Sequence, residues 1–228
     1  MPIYLLKLEA AMRRIHDNHP GKDKIEAELR KQQAGLRGEL TLDYYLSLLS
    51  KNDFLTITNL RLPNKNNFFQ IDRLVMTSRF LLLLESKNIY GELTYHANTG
   101  QLTRCNYEQK EVSYDPISQV ERQKLQLIDL LQLSSFPVIP ILTLVVITNA
   151  FTNIKIIPEN ARLPRNLVRA ETLPMKINEI DRVHKKEYLT QTELRKMAKS
   201  LRKKNRPYDP NVLEKFEVDY HDLKKGVH

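Results

Sequence analysis

One cysteine, Cys105, occurs in the whole chain. That excludes an intrachain disulfide and any zinc site built from several cysteines. The six histidines show no metal-ligand spacing, so they read as surface or core residues. No run reaches membrane-spanning length; ILTLVVI at 141–147 has the length of a buried strand instead. The opening MPIYLLKLEAAMRR has neither a basic leader nor a cleavage site of small residues. There is no internal repeat and no low-complexity tract. These absences set aside the disulfide-stapled, secreted and membrane-spanning classes and point to the cytoplasm.

What is present is enough for one substantial domain with a full core. The 228 residues are 41% hydrophobic and 28% charged, ordinary values for a globular protein. Net charge is +9, which suits a polyanionic partner but is unspecific. Its distribution says more. Residues 181–206 hold ten lysines and arginines against Asp181, Glu187 and Glu193, so the excess sits in one C-terminal segment.

Read in order, residues 3–17 predict an amphipathic helix, and Lys22 to about Gln33 a second, mostly polar one. Gly35 and Gly38 then separate off a third, GELTLDYYLSLLS, whose buried stripe would be Leu40, Tyr44, Leu48 and Leu49. Glu39 would stand in its first turn, where negative charge suits the helix dipole. A strand at 54–63 follows, ended by Pro63. Two apolar runs, Phe68–Met76 and Phe80–Leu84, come next, then a polar hairpin of 91–96 with 101–107. Asp115-Pro116 reads as an N-cap with proline at the first helical position, opening a helix to Leu133 with Val120, Leu127, Leu131 and Ile117 facing inward. Ile141–Thr148 is a buried strand and Leu167–Ala170 a short one. Thr190 and Glu193 form a capping box at the head of a basic helix to about Lys204. The order predicts an α/β fold with a mixed sheet covered on both faces.

The paired runs at 68–91 carry the chemistry. Asp72 interrupts the first, and Glu85, Ser86, Lys87 and Asn88 end the second. Buried carboxylates need a partner, a cation or a function. With Ser78 and Arg79 as a two-residue loop, Asp72 falls opposite Glu85 across the hairpin, about 5 Å apart at Cβ. Lys87 then projects from the same face. Ser-Arg is not a favoured hairpin turn, and an odd-length loop would shift this register. Two carboxylates with a lysine supply what metal-assisted phosphodiester hydrolysis requires: hard oxygens for Mg²⁺ or Mn²⁺, and a cation for the developing charge. The bland alternative is an edge hairpin whose charges point into solvent.

Four stretches in order, GLRGE at 35–39, FFQIDRLVM at 68–76, LLESKNIYG at 83–91 and DPISQVERQ at 115–123, resemble the NERD (nuclease-related) domain. That family is grouped with the PD-(D/E)XK superfamily, which also holds restriction endonucleases and resolvases. The resemblance implies a restriction-endonuclease-like mixed central sheet flanked by helices. It also implies roles. Glu39 would be a helix-borne acid reaching the metal, Asp72 and Glu85 the strand carboxylates, and Lys87 the catalytic lysine. Gln70 and Asn88 match motif positions beside these. Gln119 matches a glutamine on the helix after the meander, where it would bond the site or a substrate phosphate, or be an ordinary surface residue. No helicase, kinase or cysteine-rich module follows the domain.

The expectation is therefore an N-terminal helical segment at 1–34, a nuclease-like domain at 35–174 and a basic helical extension at 175–228. Lys196, Lys199, Arg202, Lys203 and Lys204 would grip a phosphate backbone, or else form a solvated helix face. The leading function is a metal-dependent nuclease acting on DNA, with RNA as a second substrate, no membrane partner, and a homodimer that would let two sites cut two strands. Its alternatives are a nucleic-acid-binding module that cleaves little, and a scaffold whose basic segment meets an acidic surface.

Overall fold

A computed structural model describes residues 2–50, 54–65, 67–105 and 111–224. Contacts divide the chain into two compact units: Met1–Arg37 with Pro207–His228, and Gly38–Arg206. The sequence-based expectation places the divisions after residues 34 and 174 instead. No helix among the described residues is long and apolar enough to cross a membrane.

The smaller unit is built on helix α1 (Ile3–Arg14), the first part of α2 (Lys22–Ser47) and the short α6 (Val212–Lys215). Tyr4, Leu8, Ala11, Ile15, Ile25, Val212, Phe216 and Val218 form its own core.

The larger unit is α/β, as the sequence leads one to expect. Strands β1 (Leu55–Asn64), β2 (Asn67–Met76), β3 (Leu81–Lys87), β7 (Ile141–Ile147) and β9 (Leu167–Arg169) form a mixed sheet in the order β1-β2-β3-β7-β9. The β1–β2 and β2–β3 pairs are antiparallel, while β3–β7 and β7–β9 are parallel. A second sheet has the order β6-β5-β4-β8, from β4 (Gly91–His96), β5 (Gln101–Cys105), β6 (Glu111–Tyr114) and β8 (Thr152–Ile157). Sequence reading missed β6, β8 and the helix α4 (Leu173–Val183). Strands of four to six residues, as β6 and β8 are, are too short for their own pattern to single them out.

Strand alternation sorts the core into two faces. Leu74, Met76, Leu81 and Leu83 pack with α3 (Pro116–Leu133) and α5 (Gln191–Lys204). Val75, Leu82 and Leu84 pack with Leu42 of α2, with Leu49 just beyond that helix, and with Leu173 and Ile177 of α4. The basic helix α5 is thus part of the main core, through Leu194, Met197, Ala198 and Leu201. Its end is tied to β1, where Asn205 Oδ1 accepts from the Arg61 amide at 2.8 Å and the Arg206 amide donates to the Arg61 carbonyl at 2.8 Å.

Several expectations need correction. Helix α2 runs unbroken through Gly35 and Gly38; a glycine costs a helix interior about 1 kcal/mol and does not by itself end it. Glu39 therefore stands deep inside the helix, not in its first turn. Of the expected stripe Leu49 is buried, but Leu40, Tyr44 and Leu48 are exposed; Leu42 is buried instead, with Tyr45 and Leu46 half-buried beside it. This segment is apolar nearly all round, so periodicity alone could not choose the face; the sheet chooses it. Gly38 allows a close approach rather than marking a helix start. A Cβ there would come 3.0 Å from Thr148 Oγ1 and 3.1 Å from Asn88 Cβ. Strand β1 runs one residue past Pro63, to Asn64.

The capping prediction for α3 holds: Asp115 Oδ1 accepts from the Ser118 amide at 3.0 Å, with Pro116 at the first position. Asp115→Ala should lower the stability of the larger unit by about 1 kcal/mol. Urea unfolding reads this directly; an unchanged midpoint would show that the cap contributes nothing.

Candidate active site

The turn between β2 and β3 decides what the site contains. Met76 pairs with Leu81, Val75 with Leu82, Leu74 with Leu83 and Arg73 with Leu84. This is the register that a Ser78-Arg79 loop requires. Thr77 compensates for the poor turn sequence. Its hydroxyl accepts from the Arg79 amide at 3.0 Å and the Phe80 amide at 2.9 Å, as a local hydroxyl turn does. The Thr77 amide donates to the Phe80 carbonyl at 3.0 Å. From outside, the Tyr188 and Leu189 amides both bond the Ser78 carbonyl, at 2.8 and 3.1 Å.

Continued by one step, that register sets Asp72 against Glu85, where the ladder of paired residues stops. Both residues share strand parity with the face that packs on α3. Glu85 is buried, at 3% exposure, and every partner it has is polar. Lys87 Nζ lies 2.6 Å from its Oε1. Gln119 Nε2 donates to Oε1 at 2.8 Å and Gln123 Nε2 to Oε2 at 2.9 Å. Lys87 Nζ also donates to Gln119 Oε1 at 3.0 Å. Lys87, Glu85 and Gln119 therefore form a closed ring of hydrogen bonds. This places Gln119 in the site rather than on the helix surface, one turn before Gln123 on the same face of α3.

Asp72 is held at one oxygen. Its Oδ2 accepts from the Ser86 amide at 2.8 Å and the Ser86 hydroxyl at 2.9 Å. Glu39 arrives from α2. Its Oε2 accepts from Asn59 Nδ2 at 2.7 Å and lies 3.6 Å from Arg73 Nη1. Arg73, 2% exposed, fixes this side of the site. It bonds Asp43 in two-pronged fashion, Nε to Oδ1 at 2.8 Å and Nη2 to Oδ2 at 2.7 Å. It also donates to the Asp72 carbonyl at 2.7 Å and the Glu39 carbonyl at 3.3 Å. Asp43 sits one helical turn after Glu39, so the guanidinium clamps both to the strand.

The Asp72 charge acts on both Glu39 and Glu85. Burial pushes the Glu85 carboxyl above its ordinary range and the Asp72 charge adds to this, while Lys87 and Gln123 work against it. Burial also raises Glu39; Asn59 opposes the rise and the Asp72 charge reinforces it. Asp72 is thus the charge common to both neighbours.

The structure brings Glu39, Asp72, Glu85, Lys87 and Gln119 to one region of the larger unit. Gln70 is exposed on β2, and Asn88 accepts from Asn149 at 3.0 Å. The cations proposed for a phosphate backbone lie on α5, where Lys196, Lys199, Arg202 and Lys203 are exposed and Lys204 is half-buried. Sequence reading missed Asn59, Arg73, Asp43 and Gln123. A cation beside Asp72 inside an apolar run was a usable signal for Arg73, and the four-residue step from Gln119 was one for Gln123. Nothing in the sequence singles out Asn59.

The family described as NERD, nuclease-related domain, matches residues 34–148. A comparison with curated proteins found no match.

A pH dependence follows from Glu85. Its folded-state carboxyl holds a proton more tightly than the usual value of 4.5, so the folded state binds more protons than the unfolded chain across the window above that value. Its contribution to stability is complete below pH 4.5 and is lost as pH rises through the raised value. Denaturant unfolding across this range should show a downward slope in the wild type that is reduced in Glu85→Gln. Equal slopes would mean that Glu85 is not the group responsible.

Proposed function

This chain belongs to the NERD (nuclease-related domain) family, and from that premise we propose that it is a Mg²⁺- or Mn²⁺-dependent nuclease that hydrolyses phosphodiester bonds in DNA. The observation that carries the reading is the ring of Lys87, Glu85 and Gln119, set opposite Asp72 with Glu39 close enough to feel the same charge. A structural ion pair needs one carboxylate and one cation. Here the Asp72 charge adds to the raised proton affinity of both Glu39 and Glu85, an unfavourable gathering unless a cation or a phosphate uses it.

The donor set fits a hard divalent cation. All three groups offer carboxylate oxygen, and the bonds described for Glu39 and Asp72 fall on Oε2 and Oδ2 alone. Glu39, Asp72 and Glu85 would hold the metal. When bound, such an ion lowers the pKa of a water and neutralises charge on the phosphate. Lys87 would orient an attacking water or stabilise the charge that develops in the transition state. Because Gln119 also accepts from Lys87, the ammonium keeps a fixed position that does not rest on Glu85 alone. The exposed cations of α5 would hold the sugar–phosphate backbone, with RNA as the second substrate and the cytoplasm as the compartment. A homodimer would bring two sites to two strands.

A second reading, a nucleic-acid-binding module with little cleavage, has one observation in its favour. Among the described residues, no three acidic, histidine or cysteine side chains stand together as a ready metal-holding group. The Lys87 ammonium lies on Glu85 at 2.6 Å, where a cation would compete with it.

Incubation of purified protein with plasmid and linear DNA, with Mg²⁺, Mn²⁺ or EDTA, separates the two readings. Cleavage that needs metal supports the nuclease; salt-sensitive binding without product supports the module. Asp72→Ala and Lys87→Ala should each lower cleavage by about 100-fold or more with the circular dichroism spectrum unchanged, and full activity in either would sink the assignment. Replacing Lys196, Lys199 and Lys203 together with glutamine should reduce the salt slope of DNA binding by about 2–3. A slope equal to the wild type would place the backbone contacts elsewhere.

A further inference from the structure

Asn59 lies where the β1–β2 ladder skips a residue. Thr58 pairs with Arg73 and Leu60 with Ile71, so Asn59 stands at the register position opposite Asp72 without being paired to it. Its φ is +49°, the left-handed region. Side chains rarely adopt that conformation; asparagine is among the few that tolerate it. Within a strand it forfeits ladder bonds. The β1–β2 ladder is therefore interrupted at Asp72, where the β2–β3 ladder also ends.

The Asn59 side chain is as unusual as its backbone. Nδ2 donates to Glu39 Oε2 at 2.7 Å. Oδ1 is buried and, among the described residues, has no hydrogen-bond partner. Buried polar atoms are nearly always paired, so an orphan acceptor asks for a donor that joins later. Unfavourable backbone of this kind also concentrates at functional sites. If β1 needed only a left-handed residue, glycine would supply it without strain and without an unpaired amide oxygen. The amide is the feature that glycine lacks.

We infer that Asn59 is a positioning residue of the nuclease-like site: its amide nitrogen fixes the Glu39 carboxylate beside Asp72, and its amide oxygen accepts from a water of the filled site. The inference rests on the proposed function, because it gives Asn59 the task of orienting a carboxylate for the metal. Arg73 reaches the same Glu39 oxygen at the longer distance of 3.6 Å, with its guanidinium already committed to Asp43. Asn59 makes the shorter contact and so sets the rotamer of Glu39 more closely.

The test is Mn²⁺ binding by isothermal titration calorimetry with the full chain, for wild type, Asn59→Gly, Glu39→Gln and the double variant. Asn59→Gly keeps the backbone conformation and removes only the amide, so the fold is preserved and thermal melting confirms it. Loss of a partner that orients a ligand weakens metal affinity about 10–100-fold, and Asn59→Gly should fall in that range. In the Glu39→Gln background the same change should add little, because Asn59 acts through Glu39. Wild-type affinity in Asn59→Gly, or losses that simply add in the double variant, would overturn the inference while leaving the nuclease reading intact. Absence of Mn²⁺ binding by the wild-type chain would instead remove the reading on which it rests.

Discussion

Like charges held together on the inner strands β2 and β3 of a buried sheet are the constraint from which the larger unit can be understood. Asp72 raises the proton affinity of both Glu39 and Glu85, and each carboxylate is stabilised by a different means. Glu85 has the Lys87 ammonium and two glutamine amides. Asp72 has a backbone amide and a hydroxyl from Ser86. Glu39 has Asn59 and the outer reach of Arg73. Removing one partner of such a buried network costs more than the bond itself, because the group left behind is desolvated and unpaired.

The surrounding elements deliver these partners at a fixed place. Helix α3 is capped by Asp115, which starts it at the position that puts Gln119 and Gln123 over Glu85. Helix α2 approaches closely at Gly38, where a side chain would meet Thr148 and Asn88, and it carries Glu39 and Asp43 along one face. Strand β7 runs parallel to β3 from Leu81 to Lys87, and the Thr148 amide donates to the Lys87 carbonyl at 3.1 Å. Helix α5 serves two purposes with one sequence. Its apolar stripe completes the core under β1, and its cations remain on the outside because the stripe occupies the other face.

The hairpin was legible because side-chain period and loop length together fix a register. Asp72, Glu85 and Lys87 could be placed from their numbers once the turn was identified, and Thr77 explains why so poor a turn sequence holds. The α3 cap and the α5 capping box were legible because they are local, made within three or four residues. The continuity of α2 was not, since glycines weaken a helix without forbidding it. Nor was its buried face, where apolar residues surround the axis and only the sheet distinguishes Leu42 from Leu40.

By itself, then, the sequence determined what is local or periodic: the strands with their two-residue turn, the capped helices, the cationic segment and the acidic residues that stand out in apolar runs. The tertiary structure alone decided which distant groups answer those charges. Asn59 and Asp43 lie far from the charges they answer along the chain, and an amide or carboxylate has no pattern that names its partner. Their roles follow from desolvation, which makes each buried charge take the nearest donor that the packing provides.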